Sequence, residues 1–284
     1  MYEPKRVPNI TRKTAPFPEL RYGIIKCDGF RDPKDPTNDS LHIHGYLEIF
    51  FSIDAEVTFL VNDTMYPVRA GDLIVSRPGD VHVCVFPKSA AYHYVCLWID
   101  ADFSLPFFSF LREKDFSPIL SLDRERSAAI GTTFDGLCAL TEKEKNSAKE
   151  MSYLFSVLSM LREAHSVVER TSVVPSVLSE IIRFVKQNFA EIRTVADITE
   201  KFFISPSTLN RYFRTYLRTT PREYVETQKL AYAMELLKSG AGVTEACTAA
   251  GFADCSHFIV LFKKKFGETP LKYKKQMQEN KANL

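Results

Sequence analysis

VTEACTAAGFADCSHFIVLFKKKFGETPLKY, residues 243–273, is the stretch that decides the fold. Thr244 to Ala250 has helical composition, and Gly251 can take the positive φ that a β-carbon opposes. Phe252 then plugs inward. From Cys255 the residues Phe258, Leu261, Phe262 and Phe266 recur on one helical stripe. Lys263, Lys264 and Lys265 charge the far end, and Gly267 closes the helix. Helix, glycine turn, helix and basic end spell a helix-turn-helix, whose second helix is of the kind that enters a DNA major groove.

The stretch has a relative within the chain. Residues 195–224 read VADITEKFFISPSTLNRYFRTYLRTTPREY. Phe213, Pro221 and Tyr224 align with Phe262, Pro270 and Tyr273 at one constant offset. Val195 and Ile204 align with Val243 and Phe252 one residue short of it, so one turn is a residue longer. Two copies joined by a helix from Pro221 to about Leu237 predict two reading heads on one rigid body. A preceding helix, with Val177, Ile181, Phe184 and Val185 on one face, packs behind them.

At these residues the chain resembles the AraC/XylS family of bacterial transcription regulators. The matching motifs are SPSTLNRYF (205–213), LAYAMELL (230–237), GF (251–252) and FKKKFGETPLKY (262–273), spaced over residues 175–284. The resemblance implies a DNA-reading face of Ser205, Ser207, Thr208, Asn210, Arg211 and Arg214 in the first head. In the second it implies Cys255, Ser256, Ile259 and Val260, with Lys263 and Lys264 against phosphates. Arginine pairs with guanine and asparagine with adenine in the major groove, while Ile259 and Val260 offer only apolar contact to thymine methyls. Two positions depart from the family. Arg218 stands where a glycine is usual, predicting a strained left-handed cap or a different helix end, and Val260 stands where an arginine is frequent.

Charge follows the same division. The chain has 284 residues, with 37 Lys+Arg and 35 Asp+Glu. Residues 175–284 hold 17 basic and 11 acidic residues, a balance of +6, which leaves −4 for the remainder. The basic half is the helical half, as a nucleic-acid module fused to a second, non-binding domain would be. The six cysteines show no CxxC and no paired spacing, and read as reduced buried thiols. Neither an apolar signal segment nor a run long enough to cross a membrane is present, and a cytoplasmic protein is expected.

Residues 1–20, rich in proline, read as an irregular arm. From Arg21 to Asp100 the period is that of strands: 47–53, 56–61, 72–76, 81–86 and 92–99, separated by turns such as Asn62-Asp63 and Pro78-Gly79-Asp80. Short, closely spaced strands predict a small barrel or jelly roll. Two helices follow, over 123–145 and 147–166. The second carries Met151, Leu154, Phe155, Leu158 and Leu161 as a stripe, and the pair is a candidate dimer interface. Residues 166–175 read as a linker. The fold expected is α+β in two domains: a cupin-like barrel with trailing helices, then an all-α double helix-turn-helix. The predicted divisions are 1–120 (effector-sensing barrel and arm), 121–174 (helical pair and linker) and 175–284 (DNA-binding).

His42 and His44, two apart on a strand, point to one side. With Glu48 and with His82 in GDLIVSRPGDVH they resemble the two cupin motifs, although Pro36 and Ala55 replace the flanking glycines. In cupin enzymes such a set holds Fe, Mn or Zn. AraC-type sensor barrels often keep it without a metal. The expectation is therefore a pocket of His42, His44, Glu48, His82, Tyr94 and Trp98 that receives a small-molecule effector, such as a sugar, with no metal or other cofactor. The chain reads as a non-enzymatic, homodimeric regulator of promoter DNA, with RNA polymerase as a further candidate partner. A metal-dependent cupin enzyme with a DNA domain attached, or a nucleic-acid binder whose barrel only dimerises, are the alternatives.

Overall fold

The computed structural model describes residues 13–14, 21–31, 41–54, 56–87, 89–100, 106–113, 116–144, 147–166 and 174–282. In chain order the strands are β1 (Lys13–Thr14), β2 (Arg21–Arg31), β3 (Leu47–Ser52), β4 (Val57–Val61), β5 (Thr64–Val68), β6 (Asp72–Ser76), β7 (His82–Val85), β8 (Ala90–Asp100), β9 (Ile119–Ser121) and β10 (His165–Ser166). They form two antiparallel sheets, of order β1-β2-β8-β3-β6-β9-β10 and β5-β4-β7. The expected barrel is therefore not closed. On the edge of β7 away from β4, the described residues supply a single bridge, His42 to His82.

Two apolar layers explain this arrangement. One face of the large sheet, with Leu47, Ile49, Leu73, Val75, Val95 and Leu97, packs on the helices α1 (Arg124–Cys138) and α2 (Ala148–Glu163). The other face, with Phe50, Ile74, Tyr94 and Cys96, meets Val57, Phe59, Val61 and Cys84 of the small sheet. Strand alternation sends successive side chains to opposite layers.

The first trailing helix is shorter than expected, ending at Cys138 rather than continuing to 145. Beyond it, Glu144 accepts from both the backbone N–H and the hydroxyl of Thr141, a local cap that starts a separate 3-10 turn at 142–144. On α2 the buried face is Met151, Leu154, Val157, Leu158 and Leu161, so the predicted stripe holds except at Phe155, which is exposed. Tyr22 on β2 hydrogen-bonds the buried Glu150 on α2, which ties that helix to its own sheet.

The C-terminal helices are α3 (Ser176–Asn188), α4 (Ala196–Phe202), α5 (Pro206–Leu217), α6 (Pro221–Ser239), α7 (Val243–Ala249), α8 (Cys255–Phe266) and α9 (Pro270–Ala282). Each apolar stripe is turned inward. Leu209, Phe213 and Leu217 of α5 and Phe258 and Phe262 of α8 are wholly buried, each contributing about 2 kcal/mol of burial. Thr220 opens α6 with a capping box completed by Glu223, and Pro221 sits at the first helical position. Gly251 has φ +76, and a β-carbon there would lie 2.1 Å from the Ala190 carbonyl oxygen. Arg218 adopts the left-handed cap at φ 52, the strained alternative of the two foreseen.

Contrary to the expectation from their spacing, the six cysteines are not all reduced thiols. Cys247 on α7 and Cys255 at the start of α8 form a disulfide, with Cα atoms 5.8 Å apart. Eight residues of separation carry no pairing signal in sequence; the α7–α8 turn brings the two together. The predicted arm at 1–20, apart from Lys13–Thr14 in β1, and residues 167–173 of the predicted linker lie outside the described residues.

Candidate sensor site and nucleic-acid interface

The sensor cluster is assembled by one turn and one bridge. Asp80 accepts from the backbone and Nε of Arg77 and from the amide of Asn62, which closes the Arg77–Asp80 turn. Gly79, at φ +88, donates its N–H to the His44 carbonyl. His42 and His82 exchange two backbone hydrogen bonds of 3.0 Å, setting their rings side by side with centroids 4.2 Å apart. From the adjoining strand, Glu48 stands opposite Trp98 in the β3–β8 register.

The structure brings the ligand atoms of His42, His44, Glu48 and His82 within 4.8 Å of one another. Glu48 Oε2 lies 3.0 Å from His44 Nε2, 3.5 Å from His82 Nε2 and 4.0 Å from His42 Nε2, and accepts the Trp98 indole N–H at 2.5 Å. Nδ1 of His44 faces the Tyr46 carbonyl at 3.0 Å, and Nδ1 of His82 faces the Asp80 carbonyl at 2.9 Å. His82 is completely buried, whereas His42 stands at the solvent edge.

Burial lowers the His44 pKa to about 4, against the opposing hydrogen bond from Glu48. For Glu48 burial acts to raise the carboxyl pKa, but the surrounding imidazoles, His82 foremost, outweigh it and hold it well below the carboxylate range. Tyr94 is buried farther along the same layer. Its ring contacts Phe50, Phe50 contacts Phe59, and Phe59 stacks on His82.

The backs of these strands meet the helical half. Leu41, Ile43, Val81, Val83 and Val85 share one apolar cluster with Leu209, Phe213 and Leu217 of α5 and with Tyr224 and Leu230 of α6. The alternation is strict: His42, His44, His82 and Cys84 face the cluster or the inner layer, and their odd-numbered neighbours face the helices. The Asn62-Asp63 turn adds polar contacts. The Tyr224 hydroxyl donates to the Asn62 carbonyl at 3.0 Å, and Lys186 pairs with Asp63 at 3.2 Å. Lys265 Nζ donates to the Leu41 carbonyl at 2.9 Å.

On α5 and α8, with the N-cap Ser205, the residues Ser205, Ser207, Arg211, Arg214, Ser256, Ile259, Val260, Lys263 and Lys264 are exposed, and Thr208, Asn210 and Cys255 are half-buried. Ser205 is the N-cap of α5, its hydroxyl accepting the Thr208 N–H, so its first task is local. Asn210 donates to the Pro206 carbonyl of its own helix. The sulfur of Cys255 is bonded to Cys247 and does not offer a thiol to a base. Sequence reading missed the roles of Asn62, Asp80 and Lys265; the Asn62-Asp63 and Pro78-Gly79-Asp80 turn signals mark the first two positions, and no signal marks the third.

Two family descriptions match. A helix-turn-helix domain matches residues 198–276, and an AraC-like ligand binding domain matches residues 33–158. The HTH-type transcriptional activator RhaS of Salmonella heidelberg (strain SL476) is 30% identical over 244 residues, covering 81% of this chain and 85% of its own. The chain belongs to the AraC family of HTH-type transcriptional regulators. A second relative, the uncharacterized HTH-type transcriptional regulator YbfI of Bacillus subtilis (strain 168), is 27% identical over 252 residues, 88% of this chain and 90% of its own. The crystal structure of ToxT from Vibrio cholerae O395 aligns over 91% of this chain and 98% of that one, with 14% identity and a TM-score of 0.37. So loose a superposition carries no functional argument. Among the described residues of this AraC-family chain, no helix is long and apolar enough to cross a membrane.

Proposed function

We propose that this AraC-family regulator senses a small molecule at the His42–His44–Glu48–His82 end of the inner layer and converts its presence into altered binding of promoter DNA. Tyr94 and Trp98 complete the sensing site. The α5 and α8 faces read adjacent major-groove segments, Ser207, Asn210 and Arg211 at base edges and Arg214, Lys263 and Lys264 at phosphates. The protein acts in the cytoplasm as a homodimer, without catalysis, on a promoter it shares with RNA polymerase. A sugar, or another small hydroxylated compound able to hydrogen-bond imidazoles and a carboxylate, is the effector class.

The observation that supports this reading is the alternation along residues 41–44 and 81–85: each short run carries sensor side chains on one face and contacts to α5 and α6 on the other. A ligand that repositions His42 or His82 must shift Leu41, Ile43 or Val83 as well, because successive residues share one rigid backbone. The test is DNA-binding selection with the full chain on genomic fragments, followed by affinity measurement with and without a panel of candidate effectors. An effector-dependent change in affinity for the selected site, abolished by Val83→Ala while effector binding persists, is the expected result. Selected DNA whose affinity no compound alters would leave a DNA-binding protein without a sensor.

A further inference from the structure

We propose that His42, His44, Glu48 and His82 form a binding site for one divalent first-row transition-metal ion. The proposal rests on the sensor reading for its purpose and on hydrogen-bond geometry for its existence. It runs against the metal-free pocket that the sequence alone favours.

A carbonyl oxygen only accepts, so the Nδ1 atoms of His44 and His82, at 3.0 Å from Tyr46 O and 2.9 Å from Asp80 O, must carry the hydrogens. In a neutral imidazole the other nitrogen, Nε2, is then a bare lone pair. Both Nε2 atoms are aimed at the same oxygen of Glu48, 3.0 and 3.5 Å away. A lone pair facing a carboxylate is repulsive unless something positive lies between them.

No side chain supplies that charge. Neither lysine nor arginine pairs with Glu48 among the described residues; its partners are the three imidazoles and the Trp98 N–H. A proton on one ring would relieve that ring alone. Nε2 of His82, on a residue with no exposed surface, makes no hydrogen bond at all. Orphaned buried nitrogens of this kind are costly and call for a partner.

A metal ion answers every point at once. Donors about 2.0–2.2 Å from a common ion lie roughly 3–4 Å apart, so a set spread over 4.8 Å needs shifts of only a few tenths of an ångström. The backbone carbonyls on Nδ1 are the outer partners that fix a ligating histidine in the required tautomer. The Trp98 indole does the same for the carboxylate, holding one oxygen in place. His42, at the solvent edge, opens an entry path. Three imidazoles and one carboxylate suit Mn, Fe, Co, Ni or Zn and not Ca or Mg, which take oxygen donors. In an octahedral ion, four protein donors leave two positions open for oxygen atoms of a small molecule, which is how the ion would serve a sensor.

The experiment uses the full chain, purified without chelating resin. Elemental analysis is expected to give about one equivalent of a first-row metal per chain. After stripping with a chelator, calorimetric titration with Zn²⁺ or Mn²⁺ should return one site, and Co²⁺ should give visible ligand-field bands. Glu48→Gln and His44→Gln should each weaken binding by at least tenfold, with the melting transition of the stripped proteins as the control for folding. A folded wild-type chain that neither retains nor rebinds metal overturns the proposal. So does a stoichiometric metal that persists unchanged in both variants, since it would sit elsewhere. Effector-dependent DNA binding by a chain that neither retains nor rebinds metal would overturn this inference and leave the proposed function standing. Metal binding by a chain that responds to no effector would do the reverse.

Discussion

Lys265 Nζ, at the basic end of α8, donates a hydrogen bond to the carbonyl of Leu41, the residue beside His42. Its neighbours Lys263 and Lys264 are exposed, so one of three consecutive lysines is turned from the open surface of α8 to the strand-rich half. Burial lowers its pKa to about 8, with Glu223 on α6 opposing and the charge of Lys264 assisting. The contact is expected to respond to pH. Because the buried pKa lies below the ordinary 10.5, the docked state holds fewer protons than the open one between about pH 8 and 10.5. Docking should therefore strengthen as pH rises through that window, by roughly 1–2 kcal/mol after allowance for partial exposure. Thermal unfolding across that range would show it, and Lys265→Met should flatten the slope.

Arg211 projects from α5 into solvent, free of any acidic partner among the described residues. Arg211→Ala is expected to cost about 1–3 kcal/mol at the selected site and to relax base preference at one position. Equal affinity of mutant and parent at matched salt would show that this face does not read bases.

Lys263 and Lys264 lie past the apolar Ile259 and Val260 on α8. Replacing either should weaken binding to all sequences alike and reduce the salt slope by about one unit. The measurement is affinity against salt concentration on specific and random duplexes. A loss confined to one base position would make that lysine a base reader.

Gly251→Ala places a β-carbon 2.1 Å from Ala190 O, on a backbone at φ +76. Overpacking and left-handed strain together should cost about 3 kcal/mol, loosening α7 and α8 against α3. Chemical denaturation would measure it. A stability unchanged within about 0.5 kcal/mol would mean that the turn rearranges freely.

Cys247 and Cys255 are joined, while Cys27, Cys84, Cys96 and Cys138 keep their thiols. Alkylation of unfolded, unreduced protein should add four groups, and alkylation after reduction six. Six groups without reductant would place both cysteines in the thiol state in solution.

The helical half was legible because its signals are local. A period of 3.6, the repeat and Gly251 together define α7, α8 and their counterparts before any long-range contact is known. The strands were partly legible. β5 escaped notice because Pro67 and the exposed Thr64 break its alternation; its pairing comes from the Asn62-Asp63 turn instead. The chemistry of the histidines could be read from HxH spacing, but the Nδ1 contacts to Tyr46 and Asp80 are backbone geometry and leave no trace in residue types. Nothing in three adjacent lysines says that Lys265 turns away from the other two. Docking between the halves is a surface-matching property, and periodicity within either half does not encode it.

The odd–even division along residues 41–44 and 81–85 has an evolutionary consequence. On the sensing function proposed above, substitutions at 42, 44 and 82 would change what is recognised, and those at 41, 43, 81, 83 and 85 would change how strongly recognition is heard. The two traits sit on interleaved positions and not on separate segments, so a single point mutation alters one of them. Recombination of whole strands moves both together. A lineage can thus acquire a new stimulus by drift while its output is inherited intact.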